Sequence, residues 1–487
     1  MSRTAITSVI FGFFLTLPFP ASAVLIPPGF SEYQFIYDFT RRAEMTQPEL
    51  RLFGLVQPIS TKRLTPPFPF EKILATPEQM NITVFAFASE ETDYAKFARA
   101  RAYESLRGGF IASPISNLTL YSEFRLDERL AEDPQYTGKK WRALAGEIST
   151  AYINFEKDNW DITLGRFVSN WGPANQSLIL SSTARPMDAL LARLRWGRLQ
   201  FSYQIGQLNC LQDPDSASPA QYRYFAGHRL DIRLRENIYL GLFETIIFGG
   251  YGRSFDIAYL NPLLFFHSVQ LNNDTDDNTF LGADFEIFIR NRHKIYGQIL
   301  VDDFQIDKKE PGDYEPNELG ILLGFESLNL VENIDLHLEY CRITNRTYNQ
   351  IFERNRYIND GRLLGHSLGP DGDRFLLTLS RWFRYDTRAS VDFEYRRQGE
   401  GRFDSPWTQP WLDSPGNYDE PFPTGTVEKY LRAALGATAL IEQHLFIDFN
   451  AGCRFYRNFR HISGQNETIP YFTGKLSLFF SVPISIK

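Results

Sequence analysis

Gly365-His366-Ser367-Leu368-Gly369 carries the spacing G-x-S-x-G, in which a serine on a strained strand-to-helix turn can act as a nucleophile. That chemistry needs a buried strand before the turn and a helix after it. Here the upstream stretch 355–361 is polar, and Pro370 and a strand-like pattern follow. The pentapeptide therefore reads as an ordered loop running into a strand. The seven histidines are dispersed and show no paired metal-ligand spacing. Carboxylates cluster at Asp302-Asp303 and within Asn273-Asp274-Thr275-Asp276-Asp277. Neither run has the turn glycine and terminal glutamate of an EF-hand loop, so both read as solvated loop charge, with weak Ca²⁺ binding as the alternative. Gly249-Gly250-Tyr251-Gly252-Arg253 is glycine-rich but matches no phosphate loop, and no helix follows to supply N–H groups. No catalytic residue, metal ligand or cofactor is expected, and the chain does not read as an enzyme.

A different chemistry is available in the longest loop-like stretch. Trp407, Trp411, Tyr418 and Phe422 sit among Asp404, Asp413 and Asp419. Aromatic faces with nearby carboxylates suit the C–H surfaces and hydroxyls of sugars. The other reading is that these rings pack the loop on itself or join an interfacial girdle.

What would position such loops is a set of strands. In Leu445-Phe446-Ile447-Asp448-Phe449-Asn450-Ala451-Gly452-Cys453-Arg454-Phe455 every odd position is apolar and the even ones are mostly polar or glycine. Ser390 to Arg396, Ile334 to Tyr340 and Leu199 to Ile205 repeat the alternation, and Asp284 and Glu286 share one face opposite Phe285 and Ile287. Period two is the strand signature, and Asp, Glu and Arg on the second face make that face wet. About eighteen such strands can be placed between residues 80 and 485. Their links alternate between short turns, such as Gly197 and Arg235–Glu236, and long ones, the largest being 249–278, 345–371 and 398–426. Short turns on one rim and long loops on the other is the layout of an outer-membrane barrel.

Composition agrees. The chain has 42 Phe and 24 Tyr but, beyond its N-terminus, no apolar run long enough for a spanning helix. Residues 1–23 read as a secretory signal: Arg3, an apolar stretch from Ile6 to Leu17, and the small-residue cleavage site Ala21-Ser22-Ala23. Residues 24–79 break the barrel pattern. Gly29 to Glu44 can form a short helix with Phe35, Ile36 and Phe39 on one side, and five prolines follow between 48 and 69. A periplasmic segment or reduced plug is expected there, with residues 80–487 as the barrel. Cys210, Cys341 and Cys453 are too few and scattered for a disulfide framework. A net charge of −7 argues against a nucleic-acid partner.

Several blocks resemble the Wzi family of capsule-assembly outer-membrane proteins. Gly165-Arg166-Phe167-Val168-Ser169-Asn170-Trp171-Gly172-Pro173 is similar to its G-R-x4-WGP block, and Leu194-Arg195-Trp196-Gly197-Arg198-Leu199 to the hairpin that follows. Ala258-Tyr259-Leu260-Asn261-Pro262-Leu263 and Leu300-Val301-Asp302-Asp303-Phe304 resemble two further blocks. Leu364 to Asp371, with His366 and Gly369, resembles its L-G-H-x-L-G-P-D segment, which accounts for the elbow-like spacing. The resemblance implies an all-β, transmembrane antiparallel barrel of eighteen strands in the cell outer membrane that binds capsular or exopolysaccharide and supports capsule attachment. Its partners would be that glycan and outer-membrane lipid. Better-known members close the barrel with an N-terminal helical bundle, for which 24–79 is short and proline-rich. The chain also ends Ser485-Ile486-Lys487, without the common terminal aromatic. On this reading Arg253, Trp407 and Trp411 are the candidate glycan contacts, Trp by stacking and Arg by bidentate contact with a uronate. The alternative is a porin-like channel, since about eighteen strands leave room for an aqueous pore.

Overall fold

The computed structural model describes residues 25–26, 31–47, 51, 56–57, 59–60, 81–95, 100–134, 136, 138–212, 220–273, 275–305, 314–383, 386–414 and 418–485. The signal segment 1–23 and most of 48–80 lie outside the described residues.

Eighteen long strands form one closed antiparallel barrel. They are β1 (Asn81–Ala95), β2 (Arg101–Ile115), β3 (Leu118–Asp127), β4 (Leu144–Lys157), β5 (Trp160–Phe167) and β6 (Met187–Trp196). Next come β7 (Leu199–Gln207), β8 (Gln221–Arg235), β9 (Ile238–Tyr251), β10 (Asn278–Ile289), β11 (His293–Asp303) and β12 (Glu318–Val331). The last six are β13 (Ile334–Ile343), β14 (Gly372–Phe383), β15 (Thr387–Gln398), β16 (Glu428–Ile441), β17 (Leu445–Arg457) and β18 (Asn466–Ser485). Each pairs with its neighbour in sequence, and β18 closes on β1 from Tyr471↔Ala95 to Ser485↔Asn81. The short turns gather on one rim and the long links on the other. No described helix is long and apolar enough to cross a membrane. All three cysteines are free.

Alternation sorts side chains as expected from the pleat. Phe393, Leu435 and Phe449 point outward and stay exposed. Asp392 and Asp448 point inward, where Thr378 and Thr438 donate to them at 2.7 and 2.8 Å. Trp160 and Trp196 flank the short-turn rim on the outside, as interfacial aromatics do. The inward face is charged and paired. Arg229 forks onto Asp284 at 2.6 and 2.8 Å, Arg193 meets Asp161 at 2.8 Å, and Lys294 meets Glu286 at 3.3 Å.

A helix, α1 (Ser31–Thr46), lies inside the barrel against the short-turn half. Its Phe35 stacks on Trp382, Phe39 meets the same ring edge-on, and Phe35 also meets Phe446. Its charged residues reach opposite walls. Glu32 pairs with Arg107 at 3.1 Å and Lys475 at 2.9 Å. Arg41 pairs with Glu326, Arg42 with Asp335 at 2.9 Å, and Asp38 with Arg388 at 2.8 Å.

If Phe393 faces hydrocarbon near mid-strand, Phe393→Arg should cost about 2–4 kcal/mol of stability in vesicles. The inward Asp392→Asn should cost less than half of that. Equilibrium urea unfolding of both variants checks the assignment, and equal losses would contradict it.

Candidate functional site

The long link 168–186 does not extend away from the rim but folds into the lumen. Asn170 and Trp171 pair with Val56 and Gln57 in a small two-stranded sheet. Trp171 is buried, and its backbone N–H donates to Leu180 O at 2.9 Å. Gly172 permits this path. Its φ is +130°, and a Cβ there would meet Gln298 Nε2 at 2.6 Å. Gln298 in turn holds the loop, accepting from Ser177 Oγ at 2.9 Å and from the Leu178 N–H at 2.6 Å. Pro173 is buried in the same turn. The glycine–tryptophan block is therefore an inward-turning device. Gly165 and Arg166 end β5, where Arg166 forks onto Asp188 directly across the strand pair at 2.8 and 2.6 Å.

The link 344–371 packs onto this loop from above. Tyr348 Oη donates to Leu178 O at 2.6 Å, and the Ser181 N–H donates to Leu364 O at 2.7 Å. His366 is fully buried; burial, and secondarily Arg374, push its pKa well below the ordinary histidine range. Its Nδ1 accepts from the Leu368 N–H at 3.0 Å, and Gly369, at φ +72°, closes the turn. Ser367 Oγ donates to Gln176 Oε1 at 2.5 Å. The elbow-like pentapeptide is thus a turn that ties two inner loops together, with serine and imidazole bonded to different partners.

Between α1 and these loops lies a chamber of about 670 Å³. Among its described lining residues are seven arginines and four carboxylates. At its upper end Arg185 and Arg362 share one carboxylate, Asp133, at 2.5 and 3.0 Å. Two guanidinium groups thus share one acid there, beside Arg125, which reaches both Asp127 and Glu147. Deeper in, Arg374 meets Glu339 at 2.7 Å and Arg432 meets Glu394 at 3.2 Å. Glu147, Arg185 and Pro186 also line a rim groove that includes Tyr136, Arg166 and Asp188. The chamber and the groove thus share a wall.

The candidate glycan contacts do not come together. Trp411 is 1% exposed, so it offers no free face for a sugar. Arg346 lies 4.7 Å from its ring centre, and Trp407 and Tyr418 meet it edge-on and tilted. Trp411 is thus packed beneath its neighbours, while Trp407, Tyr418 and Phe422 stay partly exposed. Arg253 is likewise committed: it forks onto Asp277, with Asp256 at 3.4 Å. Asn261 ends a short helical turn and accepts from the Leu263 N–H at 3.1 Å, and Pro262 follows it. Asp303 accepts from the Phe304 N–H at 2.7 Å. No group of three or more His, Cys, Asp or Glu among the described residues is arranged to hold a metal ion. A residue overlooked in sequence is Trp141. It is 69% exposed on the long-loop rim, with Arg142 at 5.5 Å from its ring. The signal was present in the run Lys139-Lys140-Trp141-Arg142.

A closed barrel with a charged lumen, an inner helix and inward-folded loops defines a class of β-barrel rather than a soluble β-sandwich. The chain belongs to the capsule assembly protein Wzi family, whose model matches residues 118–468. Among solved structures it is similar to Wzi of Escherichia coli, described as an outer-membrane, carbohydrate-binding β-barrel involved in group 1 capsule assembly. The TM-score is 0.59 at 16% identity, covering 95% of this chain and 100% of that one. OccD3 (OpdP) of Pseudomonas aeruginosa aligns with a TM-score of 0.47 at 9% identity, over 82% of this chain and 91% of that one. No curated protein matches the chain by sequence.

The rim also holds a titratable group. Burial, and then Asp303, raise Glu315 from 4.5 to about 7. The folded protein keeps this proton to higher pH than the unfolded chain does, so stability falls as pH rises from 4.5 to about 7 and then levels off. Glu315→Gln should therefore raise the urea midpoint more at about pH 8 than at about pH 5. A gain independent of pH would contradict the assignment.

Proposed function

We propose that this protein resides in the outer membrane, binds an acidic surface polysaccharide at its long-loop rim, and supports capsule or exopolysaccharide attachment to the cell. The observation that carries the reading is the arginine-rich lining of the chamber below the rim, where Arg185 and Arg362 share one carboxylate, in a member of a capsule-assembly family. Arg185 and Arg362 would hold uronate carboxylates, since a planar guanidinium matches a carboxylate bidentately. Trp141 would stack on a sugar ring beside Lys140 and Arg142. Trp407 is the remaining aromatic of the original set, while Trp411 and Arg253 support loops. Individual contacts of this kind are weak, and a repeating polymer would be retained by avidity. The absence of a catalytic role belongs to the same reading: Ser367→Ala should leave any background esterase rate unchanged.

Affinity gel electrophoresis tests the reading directly. A uronate-rich polysaccharide should retard the protein and neutral dextran should not. Arg185→Ala and Arg362→Ala should each weaken retardation about tenfold, the scale of one charge-assisted hydrogen bond. Undiminished retardation in the double variant would remove the arginine site, and no retardation of the parent protein would remove the function.

We further propose that residues 24–79 act as a plug through α1, whose ion pairs to opposite walls brace it across the lumen. A porin-like channel would need that lumen open. In planar bilayers the protein should show no steady large single-channel current, and deletion of residues 31–46 should produce one. Steady current from the full chain would favour the channel reading.

A further inference from the structure

The outer wall carries an exception to its own pattern. Outward-facing residues in the short-turn half of β8 to β10 are exposed, as in Leu234, Leu242 and Ile289. In the long-loop half of β7 to β9, the outward residues Tyr203, Ile205, Tyr224, Ala226, Ile246 and Phe248 are buried. They are covered by the link between β9 and β10, whose Tyr259 and Phe266 join them in one apolar cluster. This link folds down over the outside of the barrel, whereas 168–186 and 344–371 turn inward.

It is fastened there by polar contacts that a lipid-facing wall would not otherwise hold. Glu244 lies in the middle of β9. Its neighbour Thr245 faces the lumen, where it meets Tyr357 at 3.3 Å, so Glu244 points out of the wall. It is nonetheless buried. It accepts the Phe266 and His267 N–H groups at 2.9 and 2.7 Å, at the first turn of the helix Phe266–Asn273. His228 Nε2 lies 3.1 Å from the same carboxylate. Tyr203 Oη donates to Tyr259 O at 2.8 Å, and Tyr259 Oη donates to Asp277 Oδ2 at 2.8 Å. Arg253, clamped on Asp277, completes the fastening. An outward carboxylate at mid-strand would be costly against hydrocarbon; here the link's own backbone covers it.

The free side of this link is apolar. Leu263 is 84% exposed, Ile257 82% and Leu271 66%, with Phe255, Leu260 and Phe265 also exposed. We propose that the link forms an external collar whose free face contacts acyl chains of the outer leaflet. Two observations select lipid as the occupant. The collar lies on the outward side of the wall, not over the mouth, and its apolar side chains continue the exposed band formed below it by Leu234 and Leu242. The collar takes the place of the wall's own upper lipid-facing surface, and the Glu244–His228 pair is its latch. This inference rests on the barrel fold and is independent of glycan binding.

The test uses the full chain in phospholipid vesicles, with Cys210→Ser and Cys453→Ser removing the accessible thiols. A nitroxide is attached at Leu263→Cys, at the wall reference Leu242→Cys, or at the loop reference Asp413→Cys. Collisions with dissolved oxygen and with a water-soluble nickel chelate are compared. The label at 263 should match that at 242, with oxygen favoured several-fold. A label at 263 that behaves like the one at 413 overturns the proposal. Spin–spin broadening at 263 would place a second copy there and overturn it as well. Adding Glu244→Ala should raise chelate collisions at 263 while the strand signal in circular dichroism is kept. Should that variant fail to fold, Glu244→Gln, which keeps an acceptor oxygen, should leave the label at 263 in its lipid-like state. A folded Glu244→Ala protein with an unchanged label removes the latch.

Discussion

The backbone of a chain in hydrocarbon has no water to bond, so every N–H and C=O of a strand must find a partner on another strand. The pairing of β18 with β1 meets that demand for the whole wall, because it leaves no edge. Closure also creates an inside. Charges on the inward face of each strand are enclosed with one another and must be paired there. Arg229 with Asp284, Arg193 with Asp161 and Lys294 with Glu286 are the outcome. Removing one partner of such a buried pair typically costs about 3–5 kcal/mol, because the other charge is left uncompensated. Lumen chemistry is therefore tightly coupled to the wall.

Helix α1 draws on the same constraint. Its Glu32, Asp38, Arg41 and Arg42 find opposite charges on separate strands, so one short helix is fixed at several points of the circumference. Above it, arginines line the chamber. Arg185 and Arg362 share Asp133, which is where the proposed contact with an anionic polymer would fall.

The long links find three destinations from one rim, and a few residues decide each. Gly172 lets 168–186 approach Gln298 and turn inward. Tyr348 and Leu364 then bind 344–371 to that inner loop. Glu244, facing out, draws the Phe266 and His267 N–H groups over the outside of the wall. In the link 399–427, Trp411 is instead buried beneath Arg346 of the neighbouring link 344–371.

What the sequence determined by itself is the wall. Side chains on a strand alternate because of local covalent geometry, so Phe393 and Phe449 could be placed outside and Asp392 and Asp448 inside without knowing any contact. Eighteen strands, the alternation of short and long links, and a helix with Phe35, Ile36 and Phe39 on one side were legible for the same reason. What only the tertiary structure decided is which residues remain free to bind. Trp411 and Arg253 looked available because their covering partners, Arg346 and Asp277, lie at sequence separations over which no local pattern carries information. Trp141 looked ordinary for the converse reason, since nothing local says that nothing covers it. Glu244 sits in an apolar run, and its meaning depends on a helix more than twenty residues away folding back over it. Exposure is a property of the closed barrel and its packed loops, so it emerges only when distant segments meet.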